Sequence, residues 1–157
     1  MDSLSTARPA LSYASATAQD AEALVALRIA AMRESLERIG RFDPVRARER
    51  FMASFVPERT QHILQSRQRI GFYVLRPVQT WLSLDHLYIQ PGHQGHGVGA
   101  SVLARVFVQA DAQGSAVRVG VLRGSDSNRF YLRHGFALVE QGEFDNYYVR
   151  NPAPVAA

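Results

Sequence analysis

The stretch Gln90–Phe107, QPGHQGHGVGASVLARVF, sets four glycines within eight residues and then runs straight into a helical pattern. Glycine in regular structure costs roughly 0.5–1 kcal/mol relative to alanine, so a cluster of this density answers to some requirement. A tight turn is one such requirement. The other is a backbone laid bare for an anion. The first amides of a helix lack internal partners, and the helix dipole adds about +0.5 charge there, so a glycine-lined entry lets a phosphate approach them. A third reading takes Gly95, Gly97 and Ala100 as a GxGxx[GA] dinucleotide fingerprint. That pattern needs a strand running almost directly into the first glycine and an acidic residue after the next strand. Here QPGHQ intervenes, no acidic residue closes the strand ending at Leu122, and fewer than sixty residues remain. The pyrophosphate cradle is the reading that best explains a bare turn opening a helix.

Outward from this motif the chain reads as alternating short elements. LSYASAT (11–17) alternates weakly as a first strand, and Thr17 with Asp20 forms a helix-opening cap. Val25, Ile29, Met32, Leu36 and Ile39 fall at helical spacing and stop at Gly40. Asp43-Pro44 opens a second helix that carries Phe51, Met52 and Phe55 inward. TQHILQS, RIGFYVLR and TWLSLDHLYI are strand-like, being short, aromatic and β-branched between polar turns. Past the glycines, Val102, Leu103, Val106, Phe107 and Ala110 mark a helix that ends at Gly114. AVRVGVL is a short apolar strand, SDSNRFYLRHG a short helix opened by Ser125 and Asp126, and FALVEQ with FDNYYVR a hairpin. The predicted order is β-αα-βββ-α-β-α-ββ, one mixed α/β domain over residues 1–157 with a core of about 11–150. The stretch before Ala10 and the tail NPAPVAA are expected to be loose ends.

Composition removes whole classes of chemistry. The chain of 157 residues holds no cysteine, so it has neither a disulfide framework nor a thiol nucleophile. Every one of its 18 basic residues is arginine. Without lysine there is no Schiff base and no phosphate-loop lysine, so an anion must be held by backbone amides or by arginine. The net charge of +4 admits an anionic ligand or a nucleic-acid surface. The arginines are scattered, however, and the densest group, RARER (46–50), carries Glu49 on a predicted helix. It reads as a solvated face, a contact for an acidic substrate group, or a nucleic-acid patch. No run approaches the roughly 18–20 apolar residues needed to span a bilayer, and the first twenty residues lack a secretory pattern. A cytoplasmic protein without membrane or nucleic-acid partners is expected. No histidine pair has metal-ligand spacing, so no metal is expected.

Gln94-Gly95-His96-Gly97-Val98-Gly99 resembles the Q/R-x-x-G-x-G/A motif of the GCN5-related N-acetyltransferase (GNAT) superfamily. RVGVLRGSDSNRFYLRHGF resembles that family's second segment, V-x-x-x-N-x-x-A-x-x-x-Y-x-x-x-G-F, with Tyr131 correctly spaced before Gly135-Phe136. The likeness runs from about Gly71 to Tyr148 and is loose before that. It departs at the family asparagine, which falls on Ser125, and at the small helix residue, which falls on Ser127. Asn128, three residues before Tyr131, shares its helix face.

The resemblance implies a mostly antiparallel sheet whose central parallel strands splay apart, flanked by helices, with acetyl-CoA as acyl donor. It implies direct transfer to a primary amine of a small molecule or peptide in a ternary complex, and a possible homodimer. Amides from Gln94 through Gly95, His96, Gly97, Val98 and Gly99 to Ala100 would hold the pyrophosphate. Leu87, Tyr88 and Ile89 would pair with the pantetheine arm, a strand amide near Tyr88 or Ile89 would polarise the acetyl carbonyl, and Asn128 and Ser125 would touch that arm. Tyr131 is the candidate general acid, against the plainer reading of a core tyrosine. The family's usual glutamate base falls on Ser83. Asp85 and His86, at neighbouring and opposite-facing strand positions, are the candidate groups for the amine, against structural roles for each and a water chain to bulk. Glu34, placed on the first helix toward the cleft, is a candidate substrate contact. The rival class is a non-catalytic module binding acyl-CoA or RNA on the same fold.

Overall fold

The computed structural model describes residues 10–154, so most of the expected loose ends lie outside it. Element types and order match the sequence reading throughout. Strand β1 (Leu11–Ser15) leads into a capping box in which the Thr17 amide donates to the Asp20 carboxylate at 2.8 Å. Helix α1 (Ala21–Arg38) follows, and α2 (Pro44–Ser54) is capped by Asp43, which accepts from the Arg46 amide at 3.1 Å. Then come β2 (Thr60–Gln65), β3 (Gln68–Val78), β4 (Trp81–Ile89), α3 (Val98–Gln113), β5 (Val117–Leu122), α4 (Ser127–Arg133), β6 (Ala137–Gln141) and β7 (Asp145–Arg150).

The strands form one seven-stranded sheet in the order β1-β2-β3-β4-β5-β7-β6. All neighbours are antiparallel except β4 and β5. That parallel pair is joined only from Leu82–Leu84 to Val117–Val119, after which the two strands part. Helices cover both faces. One apolar cluster packs α3 (Val98, Val102, Leu103, Val106, Ala110) and Tyr131 of α4 onto Leu82, Leu84, Val117 and Val119. The other packs Leu24, Val25 and Leu27 of α1 and Phe51 of α2 onto Phe72, with Val74 and Tyr88 alongside. The buried stripe of α1 is shorter than its spacing suggests, since Ile39 caps the helix and stays 43% exposed.

Two irregularities shape the β3–β4 pair. Between Val74 and Leu75 the register shifts, Val74 pairing with His86 and Leu75 with Leu84, which leaves Asp85 as an extra residue on β4. This is a β-bulge, and it reverses the side-chain alternation beyond it. Further along the same pair, Gly71 approaches β4 so closely that a Cβ there would sit 2.4 Å from the Tyr88 carbonyl oxygen. A backbone atom cannot swing away as a side chain can. Gly71→Ala is therefore expected to cost about 1–3 kcal/mol by overpacking, a clear drop in the urea midpoint. Gly92→Ala, where an added Cβ meets nothing within 4 Å, is the control and should stay within about 0.5 kcal/mol of the parent. Equal midpoints would show that β3 and β4 can separate freely at this end.

Candidate functional site

Alternation along β4 decides which backbone groups face the gap. The Leu82 amide donates to Ala116 just before β5 at 2.9 Å, so Leu82 and Leu84 present their backbone to that side. At the other end the Gln90 amide donates to Ile70 at 2.7 Å, toward β3. With Asp85 as the extra residue, Leu87 and Ile89 turn their amides and carbonyls into the gap, and Tyr88 turns its own toward β3. The carbonyl of Tyr88 crowding Gly71 agrees with this. Of the two strand amides singled out in the sequence, only that of Ile89 faces the gap; the other gap-facing amide is that of Leu87. The Ile89 carbonyl accepts from Gln94 Nε2 at 2.9 Å, which ties the strand end to the glycine loop.

That loop ends in the N-terminus of α3. Gly97 is the capping residue, with φ of 80°, and Gly95 has φ of 76°, both in the left-handed region that side chains resist. With no side chain at the cap, the amides of Val98, Gly99 and Ala100 start the helix without an internal acceptor. Gln94 to Gly97 are exposed, so the loop that leads into these amides faces solvent. Gly99 has a different reason to be glycine. A Cβ there would lie 2.9 Å from Cζ of Phe130, so the position is small because α3 packs on α4.

On the far side of the gap, Tyr131 is 5% exposed, wedged edge-on against Phe130 and Phe136 with ring centroids 5.1 and 5.2 Å away. Burial pushes its phenol well above the usual tyrosine range, and the neighbouring Tyr88 phenol adds to the shift. Its hydroxyl has no hydrogen-bond partner among the described residues. Asn128 is not set up as a ligand contact. Its Nδ2 donates to the carbonyls of Leu122 (3.0 Å) and Ser125 (2.9 Å), and its Oδ1 accepts from Asn146 (2.9 Å) and Tyr148 (2.7 Å). Both protons and both lone pairs of the amide are engaged in holding the loop after β5 against β7. Ser125 likewise donates to the Leu122 carbonyl at 2.9 Å.

The α1–α2 face of β4 carries a cavity of about 310 Å3. Phe51 of α2 and Phe55, just past its end, wall one side; Arg59, Arg76, Asp85 and His86 bring polar groups to it. Asp85 and His86 were expected on opposite faces. The bulge overturns that, since an extra residue lets two successive side chains reach the same side. Asp85 is held by Arg76 through Nε (2.7 Å) and Nη2 (3.2 Å), and accepts from Ser83 Oγ at 2.5 Å. Ser83, at the family's glutamate position, thus orients a carboxylate two residues along. His86 stacks among Phe51, Phe72 and Tyr88 at 5.6, 6.2 and 5.5 Å. Burial, reinforced by the Arg28 guanidinium and opposed by Asp85, pushes its imidazole down to about 4. Arg28 Nε donates to the Tyr88 hydroxyl at 3.3 Å, and His86 Nδ1 lies 3.4 Å from the same oxygen. Glu34 is not part of this face. Its side chain is 92% exposed and pairs with Arg38 one turn on, so it points to solvent rather than into the cleft.

Arg28, Arg59, Arg76 and the Tyr88 hydroxyl escaped the sequence reading. The first three are isolated arginines in unremarkable contexts, and only the β3–β4 register brings Arg76 to Asp85. The RARER helix is a mixed-charge surface in part, with Arg48 paired to Glu22 of α1. Among the described residues no helix is long and apolar enough to cross a membrane, and no group of three acidic, histidine or cysteine side chains could hold a metal.

A family model described as an acetyltransferase (GNAT) domain matches residues 57–138, just over half of the chain. No curated protein matches by sequence. Among solved structures the chain is similar to the PaiA N-acetyltransferase of Thermoplasma acidophilum in complex with coenzyme A. That likeness has a TM-score of 0.76 at 16% identity and covers 90% of this chain and 99% of that one. An acetyltransferase from Thermus thermophilus gives 0.69 at 22% identity over 90% and 96%. The ribosomal-protein-S18-alanine N-acetyltransferase of Escherichia coli gives 0.65 at 15% over 94% and 97%. At such identities the likeness is one of fold. Taken with the sequence match, it closes the assignment: this chain belongs to the GNAT acetyltransferase family.

Proposed function

We propose that the protein is a single-domain enzyme that transfers an acetyl group from acetyl-CoA to a primary amine of a small molecule or peptide, by direct attack in a ternary complex. The observation that carries this is the parting of β4 and β5 beyond Leu84 and Val119, with the backbone edges of Leu87 and Ile89 left facing the gap and the bare start of α3 at its mouth. A strand edge of this kind hydrogen-bonds an extended amide chain as another strand would. The amides of Val98, Gly99 and Ala100 suit a pyrophosphate. When bound, the donor supplies an activated thioester.

The protein's share of the chemistry is positioning and charge. The gap-facing amides of Leu87 and Ile89 can donate to an oxygen that gains negative charge, without reorganisation at the moment of reaction. Tyr131 supplies the proton for the departing sulfur. A phenol raised by burial looks too weak an acid for this task, but thiolate and phenolate are both anions. Desolvation in the same dry pocket raises both, so their difference stays near the unit or so that separates them in water. On the amine side, His86 stays neutral through the physiological range and serves as a hydrogen-bonding wall. The Arg28 guanidinium near it favours the neutral form of an incoming amine, which is the form that attacks. Asp85, fixed by Arg76 and Ser83, offers a carboxylate oxygen to orient it.

Two measurements check this. Free thiol release from acetyl-CoA over a panel of small amines and peptides should fall at least tenfold in Tyr131→Phe, with acetyl-CoA affinity and unfolding midpoint held, because the lost hydroxyl has no protein partner to strand. Unchanged turnover would make Tyr131 a core residue only. The second concerns His86. Its folded pKa of about 4 lies below the unfolded value of 6.5, so the unfolded chain binds more protons between these values and stability is lost as pH falls through that window. The loss is of order 3 kcal/mol by pH 4. His86→Phe should show a flatter urea-unfolding profile from pH 7 to pH 4, and parallel profiles would place the imidazole in contact with water.

A further inference from the structure

The cavity beside the bulge holds an imbalance of charge that the acetyl-transfer reading does not use. Of its two arginines, Arg76 is neutralised by the bidentate contact with Asp85, and His86 carries no charge. Arg59 is different. It follows Pro57 in the short helical turn before β2, and its guanidinium has no ion pair or hydrogen bond among the described residues. Its five N–H groups therefore remain for a ligand. Arg28, the other arginine without an acidic partner near His86, already directs donors to the Tyr88 hydroxyl and to the Ala47 carbonyl at 3.3 Å.

We propose that this cavity takes a small amine that also carries a carboxylate, with Arg59 as the carboxylate's anchor and the amine directed to Asp85 and the bulge. The inference rests on the amine-acetylation reading above and narrows its acceptor class. Three features point the same way. One unneutralised guanidinium on the wall matches a single negative charge, and its planar fork matches the two oxygens of a carboxylate. Phe51 and Phe55 offer apolar surface for the body between the two polar groups. A volume of about 310 Å3 sits at the lower end of ligand pockets, the size of an amino acid rather than of a folded partner's terminus.

The test uses the full chain with matched acceptors that differ only in the carboxylate, phenylalanine against phenethylamine and leucine against isoamylamine. Acetyl-CoA binding is measured separately by calorimetry. The expected result is a kcat/KM preference of at least tenfold for the carboxylate-bearing member, and a preference that collapses toward unity in both Arg59→Ala and Arg59→Gln. Transfer to the decarboxylated amines at an equal or higher rate overturns this proposal while leaving acetyl transfer intact. A stronger preference for an aminophosphonate analogue overturns the carboxylate assignment. If no acceptor turns over, calorimetric binding of phenylalanine to the parent, lost in Arg59→Gln, supports the site. Absence of that binding overturns it, and absence of acetyl-CoA binding overturns the parent reading separately.

Discussion

One extra residue in β4 governs this molecule. Before Asp85, Leu82 and Leu84 point into the α3 core; after it, Leu87 and Ile89 do so, although their numbers have changed parity. A regular strand would have sent Leu87 and Ile89 to the α1–α2 side and His86 and Tyr88 into the α3 core. The bulge keeps four apolar side chains on one face and releases Asp85 and His86 together on the other. It also coincides with the end of pairing to β5, because a strand that bends and twists more at a bulge cannot stay in register with a straight parallel neighbour. Gap, cavity and core face thus depend on a single insertion in the hydrogen-bond ladder.

The glycines around this strand serve separate ends that composition alone would merge. Gly95 and Gly97 are required by left-handed backbone at the start of α3, and Gly99 by the ring of Phe130 beneath it. Gly71, outside the cluster, is required by the carbonyl of Tyr88. The phosphate-cradle reading accounts for the first two. The third glycine of the motif is a packing residue that happens to lie in the same helix turn, and its role is to set how closely α3 and α4 approach behind Tyr131.

Charge is kept away from the centre of the site. Two buried ionisable side chains of the site, His86 and Tyr131, are both held in their neutral forms by desolvation. Charged groups sit at the rim, as pairs such as Arg76–Asp85 or as single guanidiniums. A neutral, dry centre with a positive rim suits a reaction between a neutral amine and a neutral thioester that develops negative charge on oxygen and sulfur.

What the sequence by itself determined is local. Capping residues, period and turn chemistry place every element in order, since these signals act within a few residues and have one physical outcome each. Its family motifs likewise mark the start of α3 and Tyr131, because a bare backbone at a helix start and a tyrosine at fixed spacing are written in adjacent residues. What only the tertiary structure decided depends on register. The bulge at Asp85 has no signature in LSLDHLYI, and without it Asp85 and His86 read as opposite-facing and Ile89 is not distinguished from Tyr88. Asn128 read as a contact for the cofactor arm, whereas Asn146 and Tyr148 come to its amide oxygen across the sheet, and Glu34 read as facing a cleft from which its helix turns it away. These are long-range consequences of strand pairing and helix packing, in which one residue's partners lie tens of positions off and no local propensity encodes them.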